Sequence, residues 1–174
     1  TETLTREAMR GRLTVSVAPF FGNRWLLPRL ERFHASHPGL EIVPQLSFDL
    51  VDLEAGGVDA AVRYGLGDWP GLAATRLFDE EVFPVCSPGY LAAHPELTGV
   101  EALAEQTLLH LDVAYHAWLD WPAWFRAQDL APPAARQGLR FNTYTLLIQA
   151  AVAGQGVALG WRHMVDDFLD AGQL

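Results

Sequence analysis

Residues 13–42 read LTVSVAPFFGNRWLLPRLERFHASHPGLEI, and their patterning decides the fold. Leu13 to Ala18 (LTVSVA) alternates in the manner of a strand and is rich in β-branched residues. Gly22 to His37 follows as a helix, with Trp25, Leu26, Leu30 and Phe33 at helical spacing. Pro28 falls in its first turns, where a missing N–H costs least. His37-Pro38-Gly39 ends the helix and turns the chain into a second strand, Glu41 to Phe48, whose Pro44 marks an edge or an irregular ladder. A short helix, Leu50 to Gly56, and a third strand, Val58 to Tyr64, complete the pattern. Strands alternating with helices imply parallel pairing through crossover connections.

Working outward, Gly65 to Gly71 reads as a loop, and Ala74 to Asp79 and Val82 to Cys86 as two short strands. Ser87-Pro88-Gly89 then breaks the pattern, and Ser87 reads as part of a hinge. A second α/β series begins beyond it. Val100 to Glu105 is a short helix, Thr107 to Leu111 a strand, and Trp118 to Gln128 a helix despite Pro122. Gly138 to Asn142 is a strand, Thr143 to Ala153 a helix, Gly156 to Gly160 a strand and His163 to Asp170 a helix. The predicted fold class is α/β with two lobes, residues 13–84 and 85–174, joined near Pro84 to Pro88. Such a module usually sends its chain back to complete the first lobe, and closing elements are expected beyond Leu174.

With 174 residues, half of them apolar, the chain can bury a core for each lobe. No apolar run is long enough to span a bilayer, and Thr1 to Arg12 lacks the apolar stretch of a signal peptide. One cysteine, Cys86, cannot form an intrachain disulfide and agrees with a reducing cytoplasm. A net charge of −9 excludes this segment from gripping DNA by phosphate neutralisation.

Catalytic and cofactor readings fare poorly. Gly154-Gln155-Gly156 and Gly160 resemble a nucleotide-binding loop but lie between a helix and the next strand, the wrong order for a dinucleotide fingerprint. They read as a helix C-cap and a tight turn. No two of the six histidines have zincin spacing, no G-x-S-x-G occurs, and no metal or cofactor is expected. Asp79, Glu80 and Glu81 alternate in direction and read as solvated loop acids.

Two features point to a ligand. Pro19-Phe20-Phe21-Gly22-Asn23 joins a strand to a helix start, where backbone N–H groups can hold an anionic group; a plain connection with two buried phenylalanines fits equally. The second lobe is dense in aromatics: Tyr115, Trp118, Trp121, Trp124, Phe125, Tyr144 and Trp161. Most are core, but Tyr115, Tyr144 and Trp161 flank strand ends, where a cation on an aromatic face gains roughly 0.5–2 kcal/mol.

The opening run, together with VDLEAGGVDAAVRYGLGDWPGL (51–72), LFDEEVFPVCSPGYL (77–91), TLLHL (107–111) and LLIQAAVAGQGVALGWRHMVDDFLDAGQL (146–174), resembles the effector domain of LysR-type transcriptional regulators, in the glycine-cleavage-activator branch. That resemblance implies a periplasmic-binding-protein-like fold with an inducer between its lobes. It implies a DNA-binding winged helix-turn-helix outside this chain, with residues 1–12 as the end of a linker helix, and homodimers or homotetramers paired through the helix Asn23 to His37. The pocket it implies is lined by Ala18, Phe20, Phe21 and Asn23, by Arg63 and Tyr64, and by Asn142 and Tyr144, with Tyr115 and Trp161 added by the aromatic argument. Phe20 and Asn23 stand where small hydroxylated residues are common in the branch. GWRHMVDD and the aromatic second lobe are similar to the subgroup associated with choline-sulfate utilisation, implying choline sulfate or a related quaternary ammonium ligand. The alternatives are a stand-alone solute-binding protein of the same fold and an enzyme on a related scaffold.

Overall fold

The computed structural model describes residues 11–48, 53, 57–112, 118–133 and 138–174. The chain divides into two compact units, Thr1–Phe78 and Asp79–Leu174. The division falls six residues before the boundary predicted after residue 84, and Pro84 lies inside a strand of the second unit.

In the first unit, β1 (Gly11–Val17) is the centre of a three-stranded parallel sheet. It is flanked by β2 (Leu40–Leu46) and β3 (Ala60–Val62). β2 is an edge strand, as Pro44 predicts, with Pro44 in register with Val15. The expected helix begins earlier than Gly22. It runs without a break through α1 (Pro19–Phe21), a π-helical stretch (Gly22–Leu26) and α2 (Leu27–Ser36). Pro19, not Pro28, occupies the first turn. Pro28 has no N–H to return to the preceding turn, and the widened stretch lies just ahead of it, with the Leu27 N–H donating to the Gly22 carbonyl. Gly22 lies so close to the sheet that a Cβ there would come within 2.6 Å of Leu46 and 2.7 Å of Val17. Phe21 stacks on Trp25 at 4.9 Å and on Phe78 at 6.0 Å, closing a small aromatic core. The predicted helix Leu50 to Gly56 lies outside the described residues apart from Leu53. The predicted strand Ala74 to Asp79 does not form; no sheet partner receives it.

The second unit holds an antiparallel pair, β4 (Val82–Val85) with β7 (Ala158–Trp161), and a parallel pair, β5 (His110–Leu111) with β6 (Arg140–Phe141). Ser87 is no hinge. Its hydroxyl accepts from the Tyr90 N–H and caps α3 (Pro88–Ala93), with Pro88 at the first helical position. Glu101–Glu105 forms a 3-10 turn. The helix expected from Trp118 starts later, as α4 (Trp121–Ala127), because Asp120 caps it by accepting from the Ala123 N–H. Pro122 therefore helps start the helix and does not interrupt it.

α5 (Tyr144–Val152) ends as the glycines predicted. Gly154 has φ 76°, its N–H donates to the Ala151 carbonyl, and the Gln155 N–H donates to that of Ala150. α6 spans only Asp166–Asp170 of the longer helix expected there. Trp121, Trp124 and Phe125 of α4 pack on one another and are buried, as are Leu147 and Ile148 of α5, Val157 and Phe168. The Trp121 indole donates to the Leu109 carbonyl at 2.9 Å and that of Trp124 to the Val82 carbonyl at 3.2 Å.

Candidate functional site

In the first unit, the carboxyl ends of the parallel strands meet the start of the helix, the usual place for a ligand in an open α/β layer. Ala18 is half-buried and precedes α1; Pro19 has no N–H, and the Gly22 N–H is taken by the Ala18 carbonyl. Phe20 stacks on Phe48 at 6.4 Å, Phe21 is buried, and Asn23 is exposed one turn along. Arg63 follows β3 directly. It donates to the Ser16 hydroxyl at 2.6 Å and to the Val62 carbonyl at 3.0 Å. Ser16, two residues before Ala18, is fully buried on β1, so the guanidinium is fixed at the strand ends. Sequence reasoning named Arg63 but missed Ser16, whose signal was only a hydroxyl on the strand facing it. Tyr64 is 65% exposed.

In the second unit, Tyr144 and Trp161 come together with ring centroids 5.4 Å apart and nearly perpendicular. Trp118 completes the cluster at 5.1 Å from Trp161 and 6.4 Å from Tyr144. The Tyr144 hydroxyl accepts from the Trp161 backbone N–H at 3.0 Å, which fixes the start of α5 to the end of β7. Tyr144 and Trp161 are 5% and 7% exposed, so each offers only a margin of its ring. Asn142 is exposed two residues ahead of α5. Tyr115 lies outside the described residues.

Glu80 and Glu81 are exposed loop acids, as expected, and each also holds a partner. The Trp161 indole donates to Glu80 at 2.8 Å, and Arg162 grips Glu81 with two hydrogen bonds of 2.9 and 2.8 Å. That grip holds the Glu81 carboxyl below its usual range. His110 sits on β5 with its imidazole pushed to lower pKa by burial and by nearby Arg140, against the opposing pull of Asp120 and Asp112. Among the described residues, no group of three or more His, Cys, Asp or Glu is gathered to hold a metal ion. No described helix is long and apolar enough to cross a membrane.

Two α/β units, one with the Arg63 guanidinium held at the ends of its parallel strands, define the class of two-unit α/β domains. The family model for the LysR substrate binding domain matches residues 6–174, and the chain belongs to that family. It is 38% identical over 174 residues to the glycine cleavage system transcriptional activator of Escherichia coli K12, covering 100% of this chain and 56% of that protein. To the HTH-type transcriptional activator AmpR of Pseudomonas aeruginosa it is 37% identical over 148 residues, 84% of this chain and 48% of the relative. The chain thus spans about half the length of these relatives, which are named as transcriptional activators and not as enzymes. Among solved structures, the effector domain of Pseudomonas aeruginosa AmpR superposes with a TM-score of 0.72 at 34% identity, covering 94% of this chain and 77% of that one. The regulatory domain of CrgA from Neisseria meningitidis superposes with a TM-score of 0.73 at 25% identity, covering 95% and 79%. The α/β, periplasmic-binding-protein-like fold class expected from the sequence is the one these domains share.

Proposed function

We propose that the chain senses a small-molecule inducer for a LysR-type transcriptional regulator and catalyses no reaction. The observation that carries this reading is Arg63, pinned by the buried Ser16 hydroxyl at the carboxyl ends of β1 and β3, beside the start of the long helix. A fixed guanidinium there suits a carboxylate, sulfate or similar anion. Ala18, Phe20, Phe21, Asn23 and Tyr64 share that end of the first unit; Asn142, Tyr144 and Trp161 serve in the second, with Tyr115. The acidic balance of −9 supports leaving DNA contact to a winged helix-turn-helix elsewhere in the protein. A cytoplasmic homodimer or homotetramer paired through the helix face after Asn23 belongs to the same reading.

For the ligand, the Glu80 carboxylate on the indole N–H of Trp161, whose ring meets Trp118 and Tyr144, favours a cationic group, and Arg63 favours an anionic one. Choline sulfate and glycine betaine carry both. Calorimetry of the intact regulator against choline sulfate, choline, glycine betaine and a simple dicarboxylate tests this. Binding of a zwitterion that Arg63→Ala abolishes is expected. Binding of the dicarboxylate alone would overturn the zwitterion, and turnover of any of the four would overturn the sensor. A sequence upstream of Thr1 that encodes an export signal instead of a basic helix-turn-helix would favour a stand-alone solute-binding protein.

A further inference from the structure

Glu80 was not expected to have a role, and its geometry gives it one. β4 and β7 pair antiparallel with Val82 opposite Trp161. Side chains alternate along a strand, so Glu80, two residues before Val82, shares the face of Val82 and Trp161. Glu81 and Arg162 share the opposite face. The contacts agree. Glu80 takes the Trp161 indole N–H at 2.8 Å, Glu81 takes the Arg162 guanidinium, and the ladder continues through the Arg162 N–H donating to the Glu81 carbonyl at 2.9 Å. Trp161 is thereby held at three points: its backbone N–H on Tyr144, its ring against Trp118, and its indole N–H on Glu80. Among these tethers, only Glu80 brings a charge, and it lies two residues past Phe78, where the chain passes from the first unit to the second.

We infer that Glu80 is the positioning residue for Trp161 and sets the preference of the aromatic cluster for a cationic group. The ligand half of this inference rests on the proposed sensing role; the positioning half does not. Glu80 fixes the ring through its hydrogen bond and biases the ligand through its charge, and two substitutions separate these effects. Glu80→Gln keeps an acceptor and removes the charge; Glu80→Ala removes both. Glu81→Ala breaks the neighbouring ion pair and leaves the indole contact intact.

The test follows the Trp161 indole N–H by heteronuclear magnetic resonance in the full chain, assigned through Trp161→Phe, with choline as the probe. In Glu80→Ala the resonance should move and its hydrogen exchange accelerate at least about fivefold relative to wild type. In Glu80→Gln and Glu81→Ala it should stay near the wild-type position. Choline affinity should fall about three- to tenfold in both Glu80 variants and be unchanged in Glu81→Ala. An indole unmoved by Glu80→Ala, or moved equally by Glu81→Ala, overturns the positioning role. Choline binding equal in Glu80→Gln and wild type overturns the charge role. A wild-type chain that binds no choline overturns the cation preference, while the indole resonance still decides the positioning.

Discussion

Trp161 shows how burial changes what a residue can be asked to report. Its ring is 7% exposed and wedged between Trp118 and Tyr144, so Trp161→Ala opens a hole in the second unit. Loss of a buried aromatic costs about 3–5 kcal/mol, more than any cation contact it could make. Urea titration should place Trp161→Ala in that range and Trp161→Phe well below it, which makes phenylalanine the substitution fit for binding work. His110 carries the second residue-scale prediction. Burial, then Arg140, lowers its pKa when folded, so the neutral imidazole is the form the fold prefers. Its stabilising contribution is full above the unfolded value of about 6.5 and is lost as pH falls through the lower folded value. The second unit should therefore weaken in urea between about pH 7.5 and pH 5, and His110→Gln should flatten that slope.

At the scale of elements, Gly22 decides how near the helix can approach its sheet. Its φ of −55° is open to any residue, so the constraint is contact alone. A methyl group there meets Leu46 and Val17 at distances real side chains do not adopt. Gly22→Ala should cost about 1–3 kcal/mol, read as an earlier urea midpoint for the first unit. The strand-helix-strand order around this glycine was legible because period-two and period-3.6 patterns dominate residues 13–64. What escaped was set by other forces. The helix begins at Pro19 because proline suits a first turn, and the π-helical stretch precedes Pro28 at a place periodicity cannot mark. Ser87-Pro88 carried an ordinary capping signature that the reading of a break in the pattern passed over. Arg63 could be named from the sequence, whereas its partner Ser16 and the contact of Glu80 with Trp161 became visible only once the strands brought together residues 47 and 81 positions apart.

The whole molecule is unequal in its cores. Of the buried apolar residues described, Val17, Phe21 and Val58 lie in the first unit, and the other twenty, from Val85 to Phe168, in the second. Buried apolar area is the main favourable term in folding, so the two units should not share one stability. Denaturation of this chain should proceed in two phases. Native-state hydrogen exchange should find the amides of β1, β2 and β3 opening before those of β4, β7 and α5. A single cooperative transition with uniform protection would contradict the asymmetry.

Pro44 has a consequence for the fate of that less protected first unit. It sits in the fifth of the seven positions of β2, whose outer side faces no strand among the described residues. A proline in an edge strand stands where its missing N–H would have pointed away from the sheet. The outer rim thus lacks a donor in its middle, and an incoming extended segment would find no continuous row of partners there. The first unit carries its own stop to cross-β accretion, placed where a thin core would otherwise leave a strand open to templating.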